Sequence, residues 1–372
     1  MKIAFYSPMN PQDALHPSGD KSTADLLVAA FKHAQHQVVI PTTFRAWNCF
    51  QKTSKPKHIA AIRLKALERA AILQPDLWLT YHSYWKAPDI IGPWCCKKLN
   101  IPYIIYKGMH AEKRKRDNRS LPGYQLNKQA ILQAEIIFAD SESDIESLHN
   151  LIGSQKVHLV RAGIDTTLFK PCTTNGSSLQ PALDERSSKK ILTVASMREG
   201  VKTKSIKWLL QALSGIPVEN NFHLVLVGDG PTRSELEQTA QALIPNQYTF
   251  MGQVHKKNLP AVYSAADIFC HPGFGESLGM VYLEAMACGL PVLAMDNCGS
   301  RQFIKHLETG LIGRSEDMNH YRTLLLKLME NQTLCSSLGV AARKRVSTAH
   351  DFSQTFKIVS EKISNYIIKY RN

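Results

Sequence analysis

His271-Pro272-Gly273-Phe274-Gly275-Glu276-Ser277-Leu278-Gly279-Met280-Val281-Tyr282-Leu283-Glu284-Ala285-Met286-Ala287-Cys288-Gly289-Leu290-Pro291-Val292 is the stretch on which the fold of this chain turns. The apolar run ending near Cys270 predicts a strand, the glycines at 273, 275 and 279 predict a tight loop, and a helix is expected from about Leu278. Glycines let backbone amides approach a ligand closely, and a helix N-terminus offers free N–H groups and the positive end of its dipole. That combination suits phosphate. Glu276 precedes the helix and Glu284 lies inside it. Carboxylates are poor phosphate ligands but good acceptors for hydroxyls, which a sugar and a ribose both offer. The competing reading makes Glu276 a capping acid and Glu284 a surface acid.

Upstream, Val194-Ala195-Ser196-Met197-Arg198-Glu199-Gly200-Val201-Lys202-Thr203-Lys204-Ser205 follows another expected strand. Arg198 and Lys204 flank a loop that leads into a helix, where they could clamp a diphosphate leaving group. Any single lysine is more commonly ordinary solvated charge. The chain contains no Asp-x-Asp pair. A nucleotide-sugar enzyme lacking it is expected to neutralise its leaving group with cations and a helix dipole, without a metal or other cofactor.

Outward from these two stretches, short β-branched runs alternate with longer amphipathic ones, the pattern of βαβ units and parallel sheets. Strands are predicted near 2–7, 37–41, 76–80, 102–106, 135–139 and 157–160, and again near 190–195, 222–227, 248–251, 267–270 and 291–294. Residues 171–189 are polar, lack periodicity and hold two prolines, so they read as a linker. The expected organisation is an α/β domain over 1–170, a second over 190–351 and a final helical segment over 352–372. Two such domains of similar size would face each other across a cleft, with ligands beyond the carboxyl ends of the strands.

The 372 residues are 44% hydrophobic and 20% charged, which excludes a disordered or fibrous chain. No apolar run approaches the length that spans a bilayer, and the opening Met1-Lys2-Ile3-Ala4-Phe5-Tyr6-Ser7-Pro8 turns polar too soon for a secretory signal. The eight cysteines form no Cys-x-x-Cys pair, so reduced thiols in a cytoplasmic protein are expected. The net charge is +14, and residues 1–170 carry 23 basic against 14 acidic residues. Such a balance suits nucleic acid, an anionic membrane surface or a phosphorylated substrate, or is a solvated basic face. No nucleic-acid-binding motif accompanies it, so a nucleic-acid partner is not expected. Phe44-Arg45-Ala46-Trp47-Asn48-Cys49-Phe50-Gln51-Lys52, Lys55, Lys57 and the basic run Lys113 to Arg119 mix cations with aromatics. They predict peripheral docking of the first domain on the inner face of the cytoplasmic membrane, unless they form a basic loop with no partner.

The chain resembles glycosyltransferase family 4, the retaining enzymes of GT-B fold. The resemblance rests on the Glu-x7-Glu spacing of Glu276 and Glu284, on Glu284-Ala285-Met286-Ala287-Cys288-Gly289-Leu290-Pro291-Val292, on Gly228-Asp229-Gly230-Pro231, and on Arg161-Ala162-Gly163-Ile164-Asp165 to Pro171. It implies two Rossmann-like domains about a central cleft, with the C-terminal helix crossing back to the first. It also implies a nucleotide-sugar donor and a glycan or lipid-linked acceptor, as in surface polysaccharide or lipopolysaccharide assembly. Within it, Glu276 would hold donor-sugar hydroxyls, Glu284 the ribose, and Arg198 and Lys204 the diphosphate, with Gly275, Ser277 and the backbone amides of Leu278, Gly279 and Met280 adding to the donor site. Gly19 would lie in the loop that approaches the phosphate from the first domain. The family's N-domain histidine is less plain. Lys107-Gly108 stands where His-Gly is usual, and His110, His82 and Lys107 are candidates in that order. Gln302 stands where a glutamate is usual, and Lys202 competes with Lys204 because the Arg-to-Lys spacing is one residue long. A GT-B phosphorylase, a sugar-nucleotide epimerase or an inactive partner subunit are the alternatives.

Overall fold

A computed structural model describes residues 1–11, 19–50, 56–172, 188–276 and 278–371. Most of the expected linker, 173–187, and the expected phosphate donor Ser277 lie outside the described residues. The chain divides into two units, Met1–Ala162 with Ser353–Asn372, and Gly163–Phe352. The division falls earlier than the expected 170 because the connecting residues already bond within the second unit. Ile164 pairs with Asp351, and the Cys172 N–H donates to Ser264 Oγ at 2.9 Å.

The first unit is built on six parallel strands: β1 (Lys2–Tyr6), β2 (Gln37–Val39), β3 (Leu77–Ser83), β4 (Tyr103–Gly108), β5 (Ile136–Ala139) and β6 (Val157–Leu159). Their order is β2-β1-β3-β4-β5-β6. Every residue of β3 is buried, as in a strand covered on both faces, and its opening Leu77-Trp78-Leu79 is apolar without alternation. Between β3 and the helix Gly92–Leu99 sits a buried carboxylate, Asp89. Thr80 and Tyr103 hydroxyls and the N–H groups of Ile91 and Gly92 donate to it, which offsets its burial. The last helix, Phe352–Arg371, belongs to this unit: Phe356 packs edge-on against Phe31, and Arg371 pairs with Asp76.

The second unit repeats the plan with β7 (Lys189–Val194), β8 (Phe222–Val227), β9 (Tyr248–Gly252), β10 (Ile268–His271), β11 (Val292–Met295) and β12 (Leu311–Gly313). The order is β12-β11-β10-β7-β8-β9, all parallel. The three-residue β12 is too short to leave a periodic signal and was not among the expected strands. The sequence runs outward in both directions from the β7/β10 pair, and in the first unit from β1/β3. In open α/β sheets ligands bind beyond the carboxyl ends at such reversals. Arg198 and Glu276 lie in the loops leaving β7 and β10, Lys204, Met280 and Glu284 in the helices that follow, Gly19 at the start of the helix after β1, and His110 beyond the end of β4.

Candidate active site

In the second unit the loop after β10 is held on its own scaffold. Gly273, Gly275 and Gly279 all have positive φ, at +75°, +64° and +70°. A Cβ would lie 2.0 Å from the Tyr282 hydroxyl at Gly273 and 2.6 Å from the Tyr282 ring at Gly279. Only glycine takes this conformation without cost, and it lets the helix Met280–Ala287 start directly beneath the loop. The first turn of that helix leaves N–H groups without intrahelical partners, as the phosphate reading requires. The loop is pinned from three sides: Ser205 Oγ accepts from the Phe274 N–H at 2.8 Å, Asn297 donates to the Pro272 carbonyl at 3.2 Å, and the Gly299 N–H donates to the Glu276 carbonyl at 3.1 Å.

The Glu276 side chain is therefore a fixed carboxylate. Lys202, in the first turn of the helix Val201–Leu213, forms an ion pair with it. Burial, then the Arg198 charge, pulls the Lys202 ammonium down to about 8, although it touches the Glu276 carboxylate. Beneath them His271 is fully enclosed. Its Nε2 lies 3.5 Å from Glu276 Oε1 and has no hydrogen-bond partner among the described residues. Burial and the Lys202 charge push that imidazole down to about 3, so it is neutral under ordinary conditions. The group is a carboxylate, an ammonium and a neutral imidazole, fixed at the carboxyl end of β10.

The two competing lysines part here. Lys204, expected at the diphosphate, lies away from Glu276. Its ammonium pairs with Glu316 at 3.3 Å, sits 4.1 Å from the Phe274 ring centroid and lines an open pocket of about 470 Å³ with Lys207, Gln211 and Glu235. The physical reason is helix phase: residues two apart point to nearly opposite sides. Lys202 takes its place. Arg198 lies exposed in the loop after β7, with its Nε donating to Ser196 Oγ at 3.1 Å. Glu284 sits in the second turn of its helix and accepts from the Tyr263 hydroxyl at 2.8 Å. Burial pushes its carboxyl up to about 7, which removes it from the surface-acid class.

In the first unit the polar groups gather at the ends of β3 and β4. Gly19 opens the helix Gly19–His33, and its neighbour Asp20 is the hub. His82 Nδ1 is 2.6 Å from Asp20 Oδ1, the Tyr81 hydroxyl donates to the same oxygen at 3.3 Å, and Lys107 lies 3.5 Å from both Asp20 and Asp140. Burial alone would raise Asp20, but His82 and Lys107 outweigh it and hold the carboxyl well below its usual range. His82 and Lys107 both adopt left-handed backbone, with φ of +60° and +63°. Side-chain-bearing residues take that conformation at a cost. His110, first among the candidates, does not join this cluster. Its ring is buried with Nδ1 3.0 Å from Ser147 Oγ and Nε2 3.7 Å from Glu112, because the chain after Gly108 turns away toward the helix Glu142–Ile152. His82 is the histidine that does join.

Asp20, His271 and Tyr263 were not singled out for the site from sequence. Each is an ordinary residue in its local pattern, and only the position of His271 just ahead of Pro272 hinted at a role.

Residues 182–345 match the family described as glycosyl transferases group 1. The chain is 28% identical over 62% of its length to N-acetyl-alpha-D-glucosaminyl L-malate synthase of Bacillus anthracis, and 23% identical over 81% to D-inositol 3-phosphate glycosyltransferase of Rhodococcus erythropolis. It is 31% identical over 50% of its length to a GDP-mannose-dependent phosphatidylinositol monomannoside mannosyltransferase of Mycobacterium tuberculosis. The matches span 59%, 71% and 50% of those relatives. Among solved structures, sucrose-phosphate synthase of Thermosynechococcus elongatus superposes with a TM-score of 0.77 at 20% identity, covering 99% of each chain. HepE of Anabaena in complex with UDP gives 0.78 at 18%, covering 98% of this chain and 100% of its own. The fold is thus that of the GT-B enzymes, and residues 182–345 match the model of the group 1 glycosyl transferases.

Proposed function

We propose that this protein transfers a sugar, with retention of anomeric configuration, from a nucleotide-sugar donor to a glycan or lipid-linked acceptor in surface polysaccharide or lipopolysaccharide assembly. The observation that carries the proposal is the Lys202–Glu276 pair on the glycine loop above the helix Met280–Ala287. It sets a hydroxyl acceptor and a cation side by side at a helix N-terminus. A bound donor separates them: Glu276 accepts from sugar hydroxyls while Lys202, with Arg198 and the helix amides, takes the diphosphate. Glu284, half-buried and fixed by Tyr263, accepts from the ribose hydroxyls. The bond from the anomeric carbon to the diphosphate oxygen breaks, the acceptor oxygen bonds on the same face, and the acceptor's proton leaves with the diphosphate. Negative charge grows on the leaving group, so Lys202 and Arg198 supply their stabilisation where the transition state needs it. The HepE complex with UDP and the mannosyltransferase named for GDP-mannose support a nucleotide-linked donor. WaaG, titled as involved in lipopolysaccharide biosynthesis, superposes at a TM-score of 0.68 and supports the setting.

A thermal-shift panel with UDP, GDP, ADP and CMP on wild type and Glu284→Ala tests the reading. A nucleotide at 100 times its dissociation constant adds about 2.7 kcal/mol, a rise of several degrees. One nucleotide stabilising the wild type but not the variant is the expected result. Equal stabilisation of both overturns the ribose assignment, and no stabilisation by any of them, with or without an attached sugar, overturns the donor site.

A further inference from the structure

On the first unit three separate segments meet in a row of alternating cations and indole rings. The Arg45 guanidinium lies 5.7 Å from the Trp47 ring centroid, and the Lys86 ammonium lies 5.4 Å from Trp47 and 5.2 Å from Trp85. The Arg114 guanidinium lies 4.7 Å from Trp85. Their anchors are fixed. Arg45 Nε donates to the Met9 carbonyl at 3.1 Å, the Lys86 carbonyl accepts from the Asn48 N–H at 2.6 Å, and the Arg114 carbonyl accepts from Ser120 Oγ at 2.7 Å. Beyond Arg114 the short helix Glu112–Arg116 and the turn after it expose Lys113, Lys115, Arg116 and Arg119. None of these cations has an ion-pair partner among the described residues. Of the two acids beside them in sequence, Glu112 accepts from the Tyr124 hydroxyl at 2.7 Å and lies 3.7 Å from His110, and Asp117 accepts from the Arg119 N–H at 3.0 Å and from Ser120 Oγ at 3.4 Å.

We propose that the row Arg45, Trp47, Lys86, Trp85 and Arg114, extended by Lys113, Lys115, Arg116 and Arg119, docks the first unit on a bilayer surface rich in anionic phospholipid headgroups. Each indole carries cations of this chain, Trp47 those of Arg45 and Lys86, and Trp85 those of Lys86 and Arg114. The rings thus hold cations in place and are poorly disposed to stack a sugar or a base. A row of pre-set, unneutralised cations with indoles between them matches the phosphate layer of an interface, where tryptophan and basic residues both settle. No helix of the described residues is long and apolar enough to cross a membrane, so the attachment is peripheral. The inference goes beyond the donor reading and does not rest on it.

Co-sedimentation with vesicles of phosphatidylcholine alone, or with phosphatidylglycerol added, tests it at about 0.1 M salt. The wild type is expected in the pellet with anionic vesicles only, and to leave it as salt is raised. Each basic residue near such a surface contributes about 1 kcal/mol, so Arg45→Ala/Lys86→Ala/Arg114→Ala should weaken partition roughly a hundredfold. The triple variant Lys305→Ala/Arg314→Ala/Lys327→Ala on the second unit removes the same net charge and should bind as wild type. Nucleotide-induced stabilisation of the first triple variant, measured alongside, reports separately on folding and on the donor site. Equal pelleting with neutral vesicles, retained binding in the first triple variant, or equal loss in the second overturns the proposal. So does binding only to a soluble phosphorylated glycan or to random DNA.

Discussion

Donor binding to this protein should take up a proton, and the amount should depend on pH in a way set by Lys202. Its ammonium is pulled down to about 8 by burial and by Arg198. At pH 8 about half of the molecules therefore lack this charge, and at pH 7 about a tenth do. A diphosphate placed against Lys202 favours the charged form and moves the group back toward its ordinary range. Binding a nucleotide-sugar, whose diphosphate carries no proton that titrates here, should then take up about 0.5 proton at pH 8 and about 0.1 at pH 7 through Lys202, beside the proton that Glu284, raised to about 7, releases on meeting the ribose. The sign follows from linkage. Below pH 8 the cation is already present and Lys202 adds no pH dependence to affinity. Above pH 8 a proton must be added first, so affinity falls up to tenfold per pH unit, about 1.4 kcal/mol. Titration calorimetry at pH 7 and pH 8, each in two buffers of different protonation enthalpy, measures the uptake directly. Lys202→Met should abolish it and Lys204→Met should leave it intact. Uptake that does not grow between pH 7 and pH 8, or that survives in Lys202→Met, refutes the assignment of Lys202 to the diphosphate.

Glu276→Ala should lower turnover on the order of a hundredfold or more while nucleotide affinity stays near that of wild type, measured by steady-state kinetics beside calorimetry. If both fall together, Glu276 does not act on the sugar. Glu284→Gln should stabilise the protein at pH 8 by on the order of 2 kcal/mol, because burial raises the native carboxyl to about 7 against about 4.5 unfolded. Between those values the unfolded chain has released a proton the native state still holds, so the wild type loses stability as pH rises through this window. The melting temperature should rise at pH 8 but hardly at pH 4, and a rise independent of pH would contradict this account. Gly279→Ala should cost about 1–3 kcal/mol, since φ is +70° and the Tyr282 ring must move, and an unchanged urea midpoint would show that the loop is not so constrained. Lys107→Met leaves the Asp20 and Asp140 carboxylates without their shared cation, a loss of about 3 kcal/mol at pH 7 in urea denaturation that should shrink in acid.

The alternation of short buried strands with amphipathic helices, and the glycine loop after β10, were legible because both are local patterns. The choice between His110 and His82 was not. The register of β3 on β4 pairs Ser83 with Gly108, which brings the left-handed residues His82 and Lys107 to the same level at adjoining strand ends. That level depends on long-range pairing, and nothing within a few residues of position 82 or 107 announces a positive φ. The indole–cation row is similar. The basic run at 113–116 was visible, but its joining to Trp47 through Lys86 and Trp85 needs three segments folded together.

The lysine at Glu276 is different, because a stronger local argument was available than residue spacing. Gly200, with φ of +92°, ends the loop after β7 and makes Val201 the first residue of the helix. From that start the buried Ile206, Leu209, Leu210 and Leu213 mark the face turned to the sheet. On a helix, residues three and four apart share a face, so Lys202 lies with Ser205, Ile206 and Leu209, while Lys204 lies with Lys207 and Gln211. Ser205 accepts from the loop N–H of Phe274, which is the same side that Lys202 approaches. Spacing counted along the chain left two lysines, two residues apart, in competition. The apolar stripe of the helix already distinguished the inward lysine from the outward one, and with it a buried, proton-exchanging cation from an exposed one.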